Sequence, residues 1–585
     1  MFKLLKNFEK KQWIYMFFAF VFIVLQVYLE LKIPDYMSTI TTLVQTGGTT
    51  SKILKSGIYM LICAFASMIS SIIVGYIIAN SGSLFSKNIR EKLFKKVSSF
   101  GMEEIKKFNT SSLITRTTND VTQVEMLLTM GLQMLIKAPI TAVWAIFKIV
   151  GKNYTWTIIT GGAVVILLTF VITLMIIVIP RFKKIQKLID NINELTRENL
   201  KGIRVIRAFN AEKYQEDKFE SVNKKLTDTQ VFTQKVMGFM SPMMYMIMNG
   251  VALSIYFFGA YIINDANISL RIDLFSNMVI FSSYATQVIM SFLMLTFIFV
   301  MYPRAAVSIE RINEVLDTKA RIKNGKLKES KSVGEVEFIN VSFKYPDSEE
   351  YMLKNISFKA NRGETVAIIG STGSGKSTLI NLIPRFYDST EGTILIDGVD
   401  IKKLDLSYLH DKLGYVSQKA IIFSGSVSDN VKYGHKDNYE ITTNKIKEAI
   451  RVAQAEEFVL KMENKYDSDL AEGGTNVSGG QKQRLSIARA IARDPEIYIF
   501  DDSFSALDYK TDYILRKELK KYTKEATSII VAQRIGTIIN SDKIIVLDKG
   551  KCVGMGTHKE LLKNCDVYNE IAYSQLSKEE LEHEW

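Results

Sequence analysis

Long apolar runs alternate with polar, lysine-rich stretches over the first half of the sequence. Six of the runs reach about 20 residues, the length that an α-helix needs to cross the hydrocarbon core of a bilayer. We therefore predict an α-helical membrane domain of six transmembrane helices over residues 1–317. The predicted spans lie near residues 13–33, 57–79, 131–150, 157–179, 240–263 and 274–301.

The first run needs a separate test, because lysines ahead of an apolar segment are also typical of a signal peptide. Lys10 and Lys11 precede it, but the run extends over residues 13–33, longer than the apolar core of a signal peptide. No small-residue cleavage site follows it. We interpret this run as an uncleaved first transmembrane helix.

Basic residues between the runs indicate how the chain is oriented. Residues 80–128 and 181–236 are rich in lysine and arginine, whereas the loops near 34–56, 151–156 and 264–273 hold few. Because basic loops stay on the cytoplasmic side, we predict a multi-pass protein of the cytoplasmic membrane with both termini in the cytosol. Helical periodicity continues beside the two basic loops, which predicts long cytosolic extensions of the transmembrane helices.

Two lysines, Lys137 and Lys148, interrupt the third run, which is the weakest of the six. Each of them either extends to a membrane interface or faces a polar cavity. No acidic residue lies deep in a predicted span. The sequence therefore gives no reason to expect a cationic ligand within the membrane.

The pattern changes after a lysine-rich linker, residues 318–334, which lacks an apolar face. Short apolar runs then alternate with helical segments, as in an α/β sheet domain. We therefore place a second, cytosolic domain at residues 335–585. Its strand-like runs include residues 336–341, 365–369, 497–500, 528–531 and 543–547.

Composition and charge change this picture little. The formal net charge of +13 comes largely from basic residues between the apolar runs, and no nucleic-acid-binding motif is present. We therefore predict that the protein lies in a lipid bilayer and that it binds no nucleic acid. The three cysteines, Cys63, Cys552 and Cys565, are scattered and form neither a disulfide framework nor a metal-ligand pattern.

The strongest chemical signal follows the strand-like run 365–369 and precedes a helix-like segment. It matches the P-loop pattern, in which glycines let backbone amides converge on phosphate oxygens, a lysine reaches the terminal phosphates and a hydroxyl binds Mg²⁺. ATP and Mg²⁺ are therefore the predicted cofactors. The predicted nucleotide-binding residues here are Gly370, Ser371, Thr372, Gly373, Ser374, Gly375, Lys376, Ser377 and Thr378.

Two weaker motifs support the same domain. Asp501 follows the strand-like run 497–500, where a carboxylate can hold the Mg²⁺ of a P-loop nucleotide; alone, it is equally a solvated acidic turn. About 20 residues earlier a Ser-Gly-Gly-Gln sequence opens a helix-like run, and alone it is a generic anion-binding helix start. It consists of Ser478, Gly479, Gly480 and Gln481.

With these motifs, the chain resembles an ABC exporter half-transporter over essentially its whole length. In that family two nucleotide-binding domains pair head to tail, and each ATP lies between the P-loop of one and the signature motif of the other. The motif beginning at Ser478 resembles that signature, and residues 108–121 resemble the first intracellular loop. The resemblance further implies that Tyr345 stacks on adenine, that Gln418 contacts Mg²⁺ and that Asp508 lies at the dimer seam.

Two positions depart from the family pattern. Asp502 stands where the family has a glutamate that acts as general base, and Gln533 replaces the switch histidine. Aspartate is one methylene shorter, which retracts the carboxylate by about 1 Å, and such a misplacement can lower a rate roughly 100-fold. Glutamine cannot carry a proton. The combination resembles the degenerate site of a heterodimeric exporter whose second half-transporter supplies Glu and His; a homodimer is the alternative.

The substrate prediction is coarser. Six spans ahead of a nucleotide-binding domain resemble exporters, and flexible methionines suit a cavity for drug-like or lipid-like amphiphiles, although lipid-facing methionine explains the same pattern. A homodimeric exporter or flippase and a nucleotide-gated regulatory subunit without transport are the alternative functions. Six spans exclude a soluble P-loop ATPase. The methionines of the fifth and sixth spans are Met237, Met240, Met243, Met244, Met246, Met248, Met278, Met290 and Met294.

Overall fold

The computed structural model describes residues 8–330, 333–434 and 441–576, so parts of the predicted linker and of the predicted cytosolic domain lie outside it. The described chain divides into two compact units. The helical unit comprises the described residues up to Ser98 together with Thr110–Thr318. The α/β unit comprises Ser99–Asn109 and the described residues from Lys319 onward.

Long helices form the helical unit. In chain order the helices up to Asp317 are α1 Lys10–Gln45, α2 Thr50–Ser98, α3 Met102–Phe108, α4 Thr110–Thr117, α5 Asn119–Met126, α6 Leu132–Ile149, α7 Tyr154–Ala208, α8 Glu212–Gly238, α9 Met240–Asp265 and α10 Ile268–Asp317. Helix α3 belongs to the α/β unit, and a π-helical turn, Leu127–Gly131, joins α5 to α6.

Six stretches of these helices are long and apolar enough to cross a membrane, by length and composition. Each predicted span overlaps one of them, which confirms the predicted helical membrane domain. Helices α2, α7 and α10 also continue well past their apolar parts, as the periodicity of the basic loops predicts.

Apolar side chains cover more than one face of these helices. Trp156 of α7 is fully buried and packs against Phe281 of α10, with ring centroids 5.5 Å apart. Other large side chains, such as Phe65 and Phe147, are more than half exposed. A helix that is apolar on every side suits a bilayer, where the outward face meets lipid and the inward face meets protein.

Charged side chains lie within these apolar helices and are paired. Lys137 Nζ of α6 lies 2.9 Å from Glu30 Oε1 of α1, and Lys148 Nζ lies 2.7 Å from Asp35 Oδ2. Tyr284 also donates its hydroxyl to Asp35, at 2.6 Å. Helix α1 continues to Gln45, past the end of the predicted span 13–33, so both carboxylates lie on its helical part.

Twelve strands of the described chain belong to the α/β unit. They are β1 Val336–Phe343, β2 Leu353–Ala360, β3 Thr365–Gly370, β4 Glu391–Ile396, β5 Val399–Asp400, β6 Leu413–Val416, β7 Gly425–Ser426, β8 Asp469–Leu470, β9 Ile497–Asp501, β10 Thr527–Val531, β11 Lys543–Asp548 and β12 Lys551–Gly556. The five strand-like runs of the sequence correspond to β1, β3, β9, β10 and β11.

These strands form a four-stranded antiparallel sheet, β2-β1-β4-β5, a six-stranded sheet, β12-β11-β3-β10-β9-β6, and the pair β7-β8. In the six-stranded sheet only β12 is antiparallel to its neighbour. Burial on both faces explains why its inner strands are continuous apolar runs. The helices of this unit after β3 are α11 Lys376–Asn381, α12 Leu406–Asp411, α13 Val427–Val431, α14 Thr443–Val452, α15 Glu456–Leu460, α16 Gly479–Ala492, α17 Tyr509–Tyr522, α18 Ile535–Ile538, α19 His558–Asn564 and α20 Asp566–Tyr573.

The segment Ser99–Asn109 is attached to the α/β unit by polar contacts with the residues that follow α10. Glu104 Oε1 accepts a hydrogen bond from the backbone N–H of Arg321 at 2.9 Å. The Arg321 guanidinium also pairs with Glu103, at 2.8 Å. A short helix from the first half of the sequence therefore completes the domain of the second half.

The described part of the lysine-rich linker is bound to the surface of the α/β unit. The backbone N–H groups of Lys326 and Leu327 both donate to the carbonyl oxygen of Lys403, at 2.9 and 3.0 Å. A Cβ on Gly325 would lie 2.2 Å from the carbonyl oxygen of Leu404. Glycine is required here because the two backbones approach so closely.

Candidate nucleotide site

Parallel pairing of three strands positions the site. Val531 of β10 pairs with Ile368 of β3 and with Asp501 of β9. The carboxyl ends of β3, β10 and β9 therefore lie at one edge of the sheet, where α/β proteins bind their ligands. The loops that leave this edge carry the P-loop, Asp502 and Gln533, which are far apart in sequence.

The P-loop runs from the end of β3 to the start of α11, and its glycines are needed for conformation and for space. Gly373 and Gly375 have φ angles of +83° and +98°, which residues with a Cβ rarely adopt. A Cβ on Gly370 would lie 2.1 Å from the carbonyl oxygen of Leu547. The sequence thus folds this loop as a phosphate-binding loop requires.

Polar groups inside the loop fit the phosphates of ATP. Lys376 Nζ donates to the carbonyl oxygens of Gly370 and Ser371, each at 2.8 Å, and burial lowers the pKa of Lys376. Ser374 Oγ is buried and has no hydrogen-bond partner within the described residues. A cation and an unpaired hydroxyl donor at the same loop are the groups that anionic phosphate oxygens would satisfy.

Two oxygen ligands suited to Mg²⁺ lie beside the P-loop. Ser377 Oγ donates to Asp501 Oδ1 at 2.9 Å. Burial raises the pKa of Asp501, and the neighbouring negative charge of Asp502 adds to the effect. A hydroxyl and a carboxylate are ligands that Mg²⁺ prefers, so Ser377 and Asp501 fit a Mg²⁺ that would offset the charge of the phosphates.

Asp502 forms the centre of a three-residue contact. Its Oδ2 accepts hydrogen bonds from Gln533 Nε2 at 2.7 Å and from Gln418 Nε2 at 3.2 Å. The backbone of Asp502 has a φ of +46°, and burial raises its pKa. The structure therefore brings together both positions that depart from the family pattern, and it places the Gln418 amide on Asp502.

Tyr345 lies in an aromatic cluster next to the P-loop helix. Its hydroxyl is 3.0 Å from Thr378 Oγ1, and its ring meets Phe343 and Tyr387 edge-on, with centroids 5.0 and 5.4 Å away. Lys106 Nζ of α3 is 5.0 Å from the Tyr345 ring centroid. Tyr387 and Lys106 were missed by sequence reasoning, because no local pattern connects either of them to Tyr345.

The signature-like motif caps a helix. Ser478 and Gln481 form a capping box at the start of α16, with Ser478 N–H donating to Gln481 Oε1 at 2.8 Å. Asp508 caps α17, accepting from the N–H of Thr511 at 2.9 Å. Within the described part of the chain no hydrogen bond joins this turn to the P-loop. The motif is therefore positioned by its own helix and not by the P-loop of the same chain.

Comparison with known proteins identifies the family. Residues 16–292 match the family described as ABC transporter transmembrane region, and residues 353–505 match the family described as ABC transporter. An uncharacterized ABC transporter ATP-binding protein of Mycobacterium tuberculosis (strain ATCC 25618 / H37Rv) is 37% identical over 534 residues, which cover 90% of each chain. This chain belongs to the ABC transporter family. It is therefore a multi-pass membrane protein with an ATP-binding domain that hydrolyses ATP to drive transport.

Two further proteins are similar to this ABC transporter. An ATP-dependent lipid A-core flippase of Pseudomonas aeruginosa is 30% identical over 475 residues, which cover 81% of this chain and 77% of the flippase. The structure of a bacterial Atm1-family ABC exporter with ATP bound superposes with a TM-score of 0.81 at 23% identity, covering 95% of this chain and 98% of that chain. The second similarity establishes the exporter fold.

Proposed function

We propose that this ABC transporter exports hydrophobic or amphipathic molecules across the cytoplasmic membrane as one subunit of a heterodimer. Its own nucleotide site binds ATP but hydrolyses it slowly. The observation that carries the proposal is the contact of Gln533 with Asp502, beside an otherwise intact P-loop.

Slow hydrolysis follows from the chemistry of that contact. A general base must accept a proton from the attacking water through a free carboxylate oxygen. Asp502 Oδ2 already accepts from two amides, and its side chain is one methylene shorter than glutamate. Gln533 cannot relay a proton, because an amide does not titrate in this range. The site can therefore hold nucleotide without attacking it efficiently.

Under this proposal the remaining site residues would contact two different ATP molecules. Tyr345 would stack on the adenine of one ATP, the P-loop would hold its phosphates, and Ser377, Asp501 and Gln418 would hold its Mg²⁺. The capped turn at Ser478 has backbone N–H groups at a helix start and would serve a nucleotide held by the second half-transporter. Both termini and the nucleotide-binding domain lie in the cytosol under this proposal.

A cavity in the helical unit supports the substrate class. It has a volume of about 620 Å³ and lies between parts of α5, α7, α8 and α10, with one side chain contributed by α9. Met175, Met237 and Met240 line it together with Phe182, and Asp120 and Arg304 add charge. Half of the lining residues are polar or charged, so the wall offers both apolar and polar contacts, as a site for amphipathic ligands needs. The similar flippase of Pseudomonas aeruginosa is named for lipid A-core, which agrees with this class.

The test is ATP turnover with and without a partner chain. The transporter is purified in two forms, alone after expression of this gene only and as a complex captured from its native membrane, and both are placed in lipid nanodiscs. We expect a second half-transporter with Glu and His in the captured complex, and turnover at least about tenfold above the isolated chain. Equal, vigorous turnover by the isolated chain would establish the homodimeric alternative.

Transport is measured separately from hydrolysis. ATP-dependent, vanadate-sensitive accumulation of a fluorescent amphiphile in inverted vesicles is expected for an exporter. Nucleotide binding and turnover without any such accumulation would instead indicate the nucleotide-gated regulatory subunit.

A further inference from the structure

A second cavity, of about 400 Å³, lies between α1, α6 and α10 of the helical unit. Its wall is unusual for a site among apolar membrane helices, since it combines an acid, a base and an amide with thioethers. The side chains that matter here are Glu30, Lys137, Ser283, Gln287, Met290 and Met294.

An ion pair forms the polar end of this cavity. Lys137 Nζ donates to Glu30 Oε1 at 2.9 Å, and Gln26 Nε2 donates to the same oxygen, also at 2.9 Å. Both charged side chains keep some exposure, 18% for Lys137 and 30% for Glu30, on the cavity side of otherwise apolar helices. Ionisable residues inside membrane helices are costly and are typical of ligand or ion pathways.

An unpaired acceptor lies in the same wall. Gln287 Oε1 on α10 is buried and has no hydrogen-bond partner within the described residues. A buried amide oxygen without a partner is unfavourable unless a ligand or water donates to it. This observation is independent of the ion pair, and it adds an acceptor to the wall of the same cavity.

We propose that this cavity binds the head group of an amphipathic molecule that carries one positive and one negative charge. The anionic group pairs with Lys137, the cationic group pairs with Glu30 and donates to Gln287, and the apolar part lies against Met290 and Met294. This inference rests on the proposed transport of amphipathic molecules and names their head-group chemistry.

The balance of charge selects this class over singly charged molecules. A purely anionic head group would draw Lys137 away and leave Glu30 unpaired in a medium of low polarity. A purely cationic head group would leave Lys137 unpaired. An uncompensated charge in such surroundings is strongly unfavourable, whereas a zwitterion exchanges one ion pair for two.

Binding of three matched probes tests the proposal. The probes are fluorescent single-chain amphiphiles of one chain length with phosphoethanolamine, phosphate or quaternary ammonium heads, titrated onto the full-length transporter in nanodiscs without nucleotide. We expect the zwitterionic probe to bind the native protein about tenfold more tightly than the other two. Lys137→Gln should shift the preference to the cationic probe, and Glu30→Gln should shift it to the anionic probe.

Two further variants separate binding from folding. Lys148→Gln removes a lysine of the same helix that pairs with Asp35 and does not line the cavity, so it should keep the zwitterionic preference. The exchange variant Glu30→Lys with Lys137→Glu keeps the ion pair with reversed polarity. It should also keep the preference for the zwitterionic probe. Native protein without a zwitterionic preference, or variants at Glu30 and Lys137 with an unchanged order of probes, would overturn the proposal.

Failure of this inference is distinguishable from failure of the proposed function. Because binding is measured without nucleotide, its outcome does not depend on the heterodimer or on slow hydrolysis. A zwitterionic preference without ATP-driven flux would overturn export alone. Flux without the preference would overturn the head-group site alone.

Discussion

The side-chain amide of Gln533 donates a hydrogen bond to the carboxylate of Asp502, with Nε2 and Oδ2 2.7 Å apart. The two residues follow neighbouring parallel strands, β10 and β9, so the sheet itself holds them together. Replacing Asp502 or Gln533 alone removes one partner of this hydrogen bond and leaves the other side chain beside a residue that it does not fit. Their effects on hydrolysis should therefore be coupled.

Restoring the family residues should restore hydrolysis. Asp502→Glu combined with Gln533→His is expected to raise ATP turnover of the isolated chain by up to about 100-fold, because the carboxylate regains about 1 Å of reach and the neighbour becomes titratable. Turnover is measured by phosphate release in nanodiscs. The same double variant carrying Lys376→Ala should be inactive, and an unchanged rate in the double variant would contradict the proposed degenerate site.

Loss of the P-loop lysine should weaken ATP binding. Lys376→Ala removes the cation of the loop, which corresponds to about 1.5–3 kcal/mol, or roughly 10- to 100-fold in affinity. Binding is followed with a fluorescent ATP analogue. The matched control is Lys354→Ala on β2, an exposed lysine outside the P-loop, which should bind the analogue like the native protein.

The aromatic ring of Tyr345 should contribute to binding of the base. Tyr345→Ala is expected to lower ATP affinity by about 1–3 kcal/mol, the range for stacking of a base on an aromatic side chain. Tyr345→Phe keeps the ring and loses only the contact with Thr378, so it should stay close to the native affinity. Equal losses in both variants would assign the effect to the hydroxyl and not to stacking.

Stability should depend on pH through Asp502. Burial raises the pKa of Asp502 in the folded state, so the unfolded chain loses this proton at a lower pH than the folded protein does. The free energy of unfolding that Asp502 contributes is therefore present at low pH and is lost as the pH rises through the folded-state pKa. Asp502→Asn removes this titration. Its midpoint of thermal unfolding should exceed that of the native protein at about pH 8 and approach it near about pH 4.5. Asp347→Asn, at an exposed position, is the control, and a pH-independent difference for Asp502→Asn would contradict the expectation.

The linker backbone at Gly325 lies so close to the backbone of Leu404 that a side chain at this position should destabilise the protein. Gly325→Ala places a Cβ 2.2 Å from the carbonyl oxygen of Leu404 and should destabilise the α/β unit by about 1–3 kcal/mol. Gly536→Ala in α18 meets nothing within 4 Å and should be tolerated. Hydrogen exchange at the backbone amides of Lys326 and Leu327 measures the difference. Native-like protection in Gly325→Ala would contradict it.

The features that could be predicted from the sequence are those with a local signal. Six apolar runs gave the membrane helices, and short apolar runs gave the four inner strands β3, β9, β10 and β11, whose central residues are buried on both faces. The run that gave β1 also holds the polar residues Glu337 and Asn340, and this strand is only partly buried. The short or half-exposed strands β4 and β5 have no such run. The P-loop was evident because its glycines are needed at fixed positions, such as Gly373 and Gly375.

Contacts between distant segments could not be predicted in this way. Glu30 and Lys137 form an ion pair between two helices. Lys106 lies over the ring of Tyr345, although most of the sequence of the helical unit separates the two residues. Each partner alone is an ordinary charged or aromatic residue. The roles of Tyr345, Gln418 and Asp508 came only from resemblance to a family, since their own surroundings in the sequence are unremarkable loops.

The attachment of Ser99–Asn109 to the α/β unit has a consequence for biosynthesis. This segment leaves the ribosome between two helices of the nascent membrane region, long before Lys319 is translated. Phe100 and Phe108, whose rings stack with centroids 5.8 Å apart and which are buried in the finished protein, are made before the rest of their unit. A fragment that begins at Lys319 lacks this segment, so we expect it to expose apolar surface that the full chain buries.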